Sequence, residues 1–247
     1  MKKKSMSVVA LAFTLAACGA GDAGSTTTTD AATSTTAPTT TTAPRTTTTA
    51  PGTDTTPAGE PIEFGPAAGD ELAVIGVAHD DVLNLRAGPG ADQEIVAEIP
   101  NLSEGLVALG NTRDLGDSFW VEVDDEGTTG WVHLGFVGYI GVTDDMTASV
   151  VSQLGDGPVA ETMLDIGLIV AQTFASEEPA SDVVLTVAPT VGDLGEVTYD
   201  VIGIGDDAVR GFRVHVFGQP VDETFGLMAV EVTTLCGRGV TEDGLCL

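Results

Sequence analysis

The sequence predicts a small all-β barrel followed by an α+β region, with both parts carried on an extended tether. Residues 70–142 read as short apolar stretches separated by turns rich in glycine and proline, with little helical periodicity. Residues 143–247 read as two stretches of helical period and then four strand-like stretches, an order that favours two helices and an antiparallel sheet. Residues 18–69 consist mainly of threonine, alanine and proline, a composition that buries too little apolar area to order the chain.

The first 17 residues have the pattern of a secretory signal peptide. The only three lysines of the chain, at positions 2 to 4, precede an apolar run over residues 6–17. A stable membrane span needs about 20 residues, so this run is too short to be one. The run ends Leu15-Ala16-Ala17-Cys18, which resembles the lipobox of bacterial lipoproteins. That resemblance implies cleavage before Cys18, acyl chains such as palmitate on Cys18, and an extracytoplasmic protein held at the cell membrane by lipid. An ordinary cleavage site beside a chance cysteine is the alternative.

The net charge of the chain limits the classes of partner that it can bind. Without residues 1–17, six arginines face all 37 acidic residues, a net charge of −31. Such a surface repels nucleic acid and anionic lipid headgroups. We therefore expect no nucleic-acid partner, and a membrane attachment that depends on the lipid anchor rather than on charge.

Six strands are predicted in the barrel region, and the most informative stretch is VLNLRAGPG over residues 82–90. Its apolar residues favour a strand, and the Gly-Pro-Gly cluster that follows requires a tight turn. Asn84 is expected to order that turn through its side chain. The predicted strands cover residues 72–78, 82–86, 94–99, 106–109, 119–123 and 130–132.

The order of these motifs resembles the bacterial SH3 domain family. It comprises NLRAGPG at 84–90, IVAEIP at 95–100, Gly105, FWVEV at 119–123, GWV at 130–132 and GYI at 138–140. The resemblance covers residues 70–142. It implies a small, partly open SH3-like barrel of extracytoplasmic type, which often binds cell-wall peptides or other protein ligands.

Four residues of this module are candidates for ligand binding. Trp120 and Trp131 are expected on neighbouring strands, where one would serve the core and the other, more readily Trp120, a peptide groove. Tyr139 is a further groove candidate. Arg86 either covers the barrel surface and pairs with a nearby carboxylate, which we prefer, or binds the carboxylate of a peptide terminus.

Acidic residues dominate the module, fourteen of them against two arginines, a net charge of −12. A ligand that carries free amines fits this field. Asp124-Asp125-Glu126-Gly127 lacks the alternating spacing of a calcium loop, so a solvated hairpin turn is predicted there. No metal site and no cofactor are expected.

In the C-terminal region, Thr143 or Asp144 is predicted to cap a helix that ends near Leu154, and a second helix is predicted over residues 158–176. A core stripe is expected along the second helix. It consists of Val159, Met163, Ile166, Val170 and Phe174.

The predicted strands of this region cover residues 183–188, 197–204, 209–217 and 227–235, with a hairpin turn at 205–207. Arg213, His215 and Phe217 share one strand face, for which cross-strand pairs to acids are preferred over an anion site. Cys236 and Cys246 are expected to form a disulfide, because an exported protein whose Cys18 carries lipid has just these two left. A redox pair is the alternative.

The sequence favours a binding protein over an enzyme. It has three histidines and lacks a Gly-x-Ser-x-Gly elbow, a His-Glu-x-x-His motif and a phosphate-binding glycine loop. We therefore predict a non-enzymatic, lipid-anchored envelope protein whose SH3-like module binds a cell-wall peptide or a protein. The alternative is an accessory or sensory lipoprotein whose C-terminal region binds an envelope protein while the barrel is a spacer. The sequence does not indicate an oligomeric state.

Overall fold

The computed structural model describes residues 56–192 and 194–247. The signal peptide, Cys18 and most of the predicted tether lie outside the described residues. The first eight strands are β1 Glu60–Pro61, β2 Glu71–Val74, β3 Val82–Arg86, β4 Ile95–Pro100, β5 Glu104–Asp114, β6 Phe119–Asp125, β7 Thr128–His133 and β8 Val137–Asp145, with a 3-10 helix over Leu134–Phe136. The later elements are α1 Thr147–Leu154, β9 Val159–Ala160, α2 Met163–Gln172, β10 Asp182–Val191, β11 Gly195–Ile202, β12 Val209–Val221 and β13 Thr224–Cys236.

One strand, β8, joins the two predicted regions. The main hydrogen-bonded path runs β10-β11-β12-β13-β8-β2-β5-β6-β7-β3-β4, with β1 added to β5 and β9 to β13. Near its start β8 pairs with β2 of the barrel, where Val137 lies opposite Val74. From Tyr139, which lies opposite Cys236, to its end it pairs with β13. The sheet is thus continuous across the predicted boundary between residues 142 and 143, and a separate α+β domain is not confirmed.

The barrel strands follow the predicted pattern closely. All six predicted strands occur, and β3 has the predicted bounds. Two residues separate β6 from β7, and both have positive φ: 50° at Glu126 and 91° at Gly127. Asp124 closes this turn by accepting the Gly127 N–H at 3.0 Å. The predicted hairpin is confirmed.

Both helices are shorter than predicted. Thr143 and Asp144 continue strand β8 instead of capping α1, because they pair with Thr233 and Val232 of β13. Helix α2 starts at Met163, where the Thr162 hydroxyl accepts the Asp165 N–H and supplies the cap. Neither α-helix of the described residues is long and apolar enough to cross a membrane.

The segment before α2 is therefore a strand, not a helical turn. Val159 of β9 lies opposite Gly226 of β13 and is exposed, so its predicted place in the core stripe is wrong. Met163, Ile166 and Val170 are buried as predicted, and Phe174 packs at the margin of their cluster.

The C-terminal strands pair as an antiparallel meander, as predicted, and their inner face forms a second core under α2. This core includes Val197, Tyr199, Val214, Val216 and Val230. The loop at 203–208 connects β11 to β12, which confirms the hairpin predicted there.

The predicted disulfide between Cys236 and Cys246 is present. Its place in the barrel core was not predicted: Cys236, the last residue of β13, is fully buried beside Val137 and Tyr139, and Cys246 packs against the same cluster. The C-terminal segment therefore completes the barrel rather than the second core.

Candidate functional site

A cavity of about 420 Å³ opens along β3, between the barrel and the first strand of the meander. Its lining includes Asn84 and Arg86 of β3, Trp120 of β6 and His133 of β7. Val184 of β10 also lines it, so both halves of the sheet build this groove. Its volume lies in the range of about 300–1,000 Å³ usual for ligand sites.

The alternation of β3 selects the residues that face the groove. Leu83 and Leu85 are buried in the barrel core, whereas Asn84 and Arg86 are only half-buried. Successive side chains of a strand point to opposite faces, so Asn84 and Arg86 share the outer face. The side chain of Asn84 makes no hydrogen bond within the described residues. The predicted turn-ordering role of Asn84 is wrong, because it lies inside the strand with its amide open to the groove.

Arg86 does not pair with an acid. Its Nη1 donates to the Gln93 carbonyl at 2.7 Å, and no carboxylate of the described residues lies within 4.0 Å of its guanidinium. No fully buried side-chain nitrogen in the described part of the chain lacks a partner, so the unpaired N–H groups of Arg86 are reachable from outside. The preferred prediction of a surface ion pair is therefore wrong, and a guanidinium is available at the groove.

Three rings form an aromatic wall. The centroids of Trp120 and His133 are 5.5 Å apart at 84°, and those of His133 and Phe136 are 5.4 Å apart at 52°. Trp120 is only 4% exposed, and its indole N–H donates to the Ser118 hydroxyl at 3.1 Å. Phe136 is 43% exposed. In this wall Trp120 is therefore buried and held by a hydrogen bond, whereas the ring of Phe136 is accessible to a ligand.

Local backbone geometry fixes this wall. His133 ends β7 and caps the short 3-10 helix, with Nδ1 accepting the Gly135 N–H at 3.0 Å. Burial first, and then the positive charge of Arg210, lower the pKa of His133 below its ordinary value, against an opposing effect of Asp117. The lowered pKa favours the neutral form of the His133 imidazole in this part of the groove.

The other two predicted site residues lie elsewhere. Trp131 is buried opposite Arg86 on β7 and does not line the groove. Tyr139 is also buried and donates its hydroxyl hydrogen to Asp70 Oδ2 at 2.6 Å. Burial, followed by this hydrogen bond, raises the pKa of Tyr139. The structure thus brings Trp120 and Arg86 to one groove, and the binding role of all four residues stays a prediction.

Sequence reasoning missed Asn84, His133, Phe136 and Val184. The period of two in VLNLR was a usable signal for Asn84, because it pairs Asn84 with Arg86 on one face. Val184 had no such signal, since its place depends on how the meander meets the barrel.

The strand face that carries Arg213, His215 and Phe217 pairs with acids, as predicted. Arg213 Nε lies 2.8 Å from Asp200 Oδ1, and His215 Nε2 lies 3.5 Å from Glu196 Oε2. Of the two acids, Asp200 is fully buried. In the described part of the chain, no group of three or more His, Cys, Asp or Glu side chains is placed to hold a metal ion.

Comparison with known families supports the barrel assignment. Residues 81–138 match the model of the bacterial SH3 domain, which confirms the resemblance seen in the sequence. The match ends before most of β8, the strand that pairs with β13 of the meander, and it leaves out β2, which pairs with β8. Comparisons with curated proteins and with solved structures find no match.

Proposed function

We propose that this chain is a non-enzymatic envelope protein whose bacterial SH3 module binds a peptide-like cell-wall component or a protein ligand. The observation that carries the proposal is the groove along β3, where an aromatic wall stands beside an arginine without an acidic partner. The family match over residues 81–138 supports it, because this family commonly binds cell-wall peptides and is typically extracytoplasmic.

The groove favours a short extended peptide as the ligand. Phe136 offers an accessible ring for an apolar side chain or a peptide plane, and the Asn84 amide can bond a peptide group. The free donors of Arg86 suit a carboxylate. Asp81 lies at the same groove, and the module around it is strongly acidic, so an amine on the ligand is also favoured.

The lipid anchor belongs to the same proposal and rests on the sequence alone. The basic start, the short apolar run and Leu15-Ala16-Ala17-Cys18 support lipidation at Cys18 and attachment to the cell membrane. The Thr/Pro-rich segment that follows would then hold the sheet away from the bilayer.

The absence of catalysis is likewise part of the proposal. His133 uses Nδ1 to accept a backbone N–H and is enclosed by aromatic rings, and His215 lies beside Glu196 and Phe217. Neither arrangement supplies a general base next to a nucleophile.

Co-sedimentation of the full chain with purified peptidoglycan tests the binding function. Phe136→Ala and Arg86→Gln should each lower the retained fraction several-fold. Val96→Ala and Arg113→Gln are matched controls, because Val96 is a similarly exposed apolar side chain and Arg113 also lacks an acidic partner, and neither lines the groove. Trp120→Ala is less informative, since the residue is buried.

Equal retention of all four variants and the wild type would exclude the groove as the binding site. No retention of the wild type at moderate salt would exclude wall binding.

The alternative function, a C-terminal region that binds an envelope protein, has one observation in its favour. Leu164 and Leu168 are spaced one helical turn apart on α2, and both are exposed. Crosslinking in intact cells separates the two functions, because wall material should dominate the products if the groove binds and a single protein should dominate if α2 does.

A further inference from the structure

A second cavity, of about 610 Å³, is lined in part by Leu134 of the 3-10 helix. One wall is apolar and includes Phe64, Phe119 and Leu134. The other wall comes from the β11–β12 loop, the start of β12 and the residues that follow β13, and it carries Arg210 and Arg238. The two cavities have no lining residue in common. We call this second cavity the Arg210 cavity.

Arg210 is a cation without a carboxylate partner. Its Nη1 donates to the carbonyl oxygens of Leu134 and Val137, the latter at 3.1 Å. No described carboxylate lies within 4.0 Å of its guanidinium, and Nε and Nη2 have no hydrogen-bond partner. Because no fully buried side-chain nitrogen of the described residues is left unpaired, Nε and Nη2 retain accessible surface, and the cavity that Arg210 lines is where a ligand can reach them.

The acids around this cavity are already engaged. Asp206 Oδ1 accepts the backbone N–H groups of Ala208 and Val209, both at 2.8 Å. Asp207 forms an ion pair with Arg238 at 2.8 Å. The charge of Arg210 is thus left without a carboxylate contact, even though the chain as a whole has a net charge of −28.

Two exposed phenylalanines complete the cavity. The ring centroids of Phe64 and Phe119 are 5.5 Å apart at 67°, an edge-to-face contact. Phe64, between β1 and β2, is 60% exposed, and Phe119, the first residue of β6, is 39% exposed. Paired rings that stay accessible beside a cation offer apolar surface to a ligand whose other end is negative.

We propose that the Arg210 cavity binds a carboxylate carried on an apolar group. The planar guanidinium matches a carboxylate, and Nε and Nη2 form the edge that bonds it at two points. Phe64 and Phe119 pack against the apolar part of the ligand. The C-terminal residue of a peptide and a free amphiphilic acid both have this chemistry.

Calorimetric titration of the full chain with N-acetylphenylalanine, and with its amide in parallel, tests the proposal. A charge-assisted hydrogen bond is worth about 1.5–3 kcal/mol, so the acid should bind about ten- to one-hundred-fold more tightly than the amide. Arg210→Gln should remove this difference. Phe64→Ala should weaken both probes by a similar factor. Arg113→Gln, at an arginine that lines neither cavity, should change neither probe.

A third probe, 3-phenylpropanoate, separates the two sources of the ligand. Tighter binding of N-acetylphenylalanine points to a peptide terminus, whereas equal binding of the two acids points to a free acid, and both results support a carboxylate site. Equal binding of acid and amide, or a preference for acid that Arg86→Gln removes, would overturn the proposal. A loss of far-ultraviolet circular dichroism in Arg210→Gln would mean that this variant does not fold. The Phe64→Ala variant then tests the site, because its exposed ring is not needed for folding. Unchanged binding of the probes by Phe64→Ala would in that case contradict the proposal.

Discussion

Asp200 and Arg213 form a two-point ion pair, with Nε–Oδ1 at 2.8 Å and Nη2–Oδ2 at 3.0 Å, and both partners also bond the barrel. The Gly76 N–H donates to Asp200 Oδ2 at 2.9 Å, and Arg213 Nη2 donates to the Val74 carbonyl at 2.9 Å. Asp200 is fully buried, and Arg213 is 13% exposed at its side chain. The pair is therefore a buried polar junction between the meander and the segment that follows β2.

Removing one partner of this junction should destabilise the whole sheet. Arg213→Met leaves a buried carboxylate without a counter-charge, which typically costs about 3–5 kcal/mol in free energy of unfolding. Arg238→Met is the matched control, because its pair with Asp207 is exposed and should contribute at most about 1 kcal/mol. Urea denaturation measures both values. A loss below 1 kcal/mol in Arg213→Met would show that the junction does not stabilise the fold.

His133 should make stability depend on pH. Its pKa is lowered in the folded state, chiefly by burial, whereas the unfolded chain titrates near 6.5. The unfolded state therefore binds a proton first as the pH falls. The contribution of His133 to the free energy of unfolding is fully present above about pH 6.5. It decreases as the pH falls from about 6.5 to the folded-state pKa of His133.

Urea denaturation between pH 5 and pH 7.5 checks this effect. His133→Asn keeps an acceptor for the Gly135 N–H and removes the titrating group, so its stability should fall less on acidification than that of the wild type. Thr129→Asn, at an exposed and non-titrating position of the same strand β7, is the control and should follow the wild-type curve. A His133→Asn curve parallel to the wild type would contradict the assignment.

The disulfide should stabilise the barrel rather than only the C-terminal segment. Closing a loop with a sequence separation of 10 residues contributes about 2–3 kcal/mol on the chain-entropy account. Cys236→Ala with Cys246→Ala should lower the unfolding free energy by about this amount. The barrel and the meander should still unfold together, because β8 pairs with both β2 and β13. Tryptophan fluorescence follows the barrel, which holds both tryptophans, and circular dichroism follows the whole sheet. Transitions that diverge would contradict the prediction.

The sequence predicts the local elements of the fold, but it does not predict how they assemble. Period-two patterning and turn residues identify β3 and the β6–β7 hairpin, because those signals act over a few residues. The place of Cys236 in the barrel core and of Val184 at the groove depends on contacts between residues far apart in the chain. At Thr143 and Asp144 the local preference and the long-range pairing differ. Both residues suit a helix cap, but both pair with β13 as part of β8.

The shared strand gives a final prediction, that a chain cut after Val142 will not keep the barrel at its full stability. The cut removes β13, and with it the partners of Tyr139 and Ile140 on β8, and it takes Cys236 out of the barrel core. It also removes the Thr186 carbonyl to which Asn101 Nδ2 donates at 2.7 Å. Unpaired backbone and exposed core surface should together lower the melting temperature or abolish the cooperative transition.

Differential scanning calorimetry of residues 56–142 against residues 56–247 measures this dependence. Trp120 and Trp131 remain in both chains, so their fluorescence follows the barrel in each case. A barrel that melts cooperatively at the temperature of the longer chain would mean that β8 needs only β2, and would restore the boundary after residue 142. Loss of the transition would mean that the barrel needs the meander in order to fold. The reason is that β13 holds β8, the strand that closes one side of the barrel, in place.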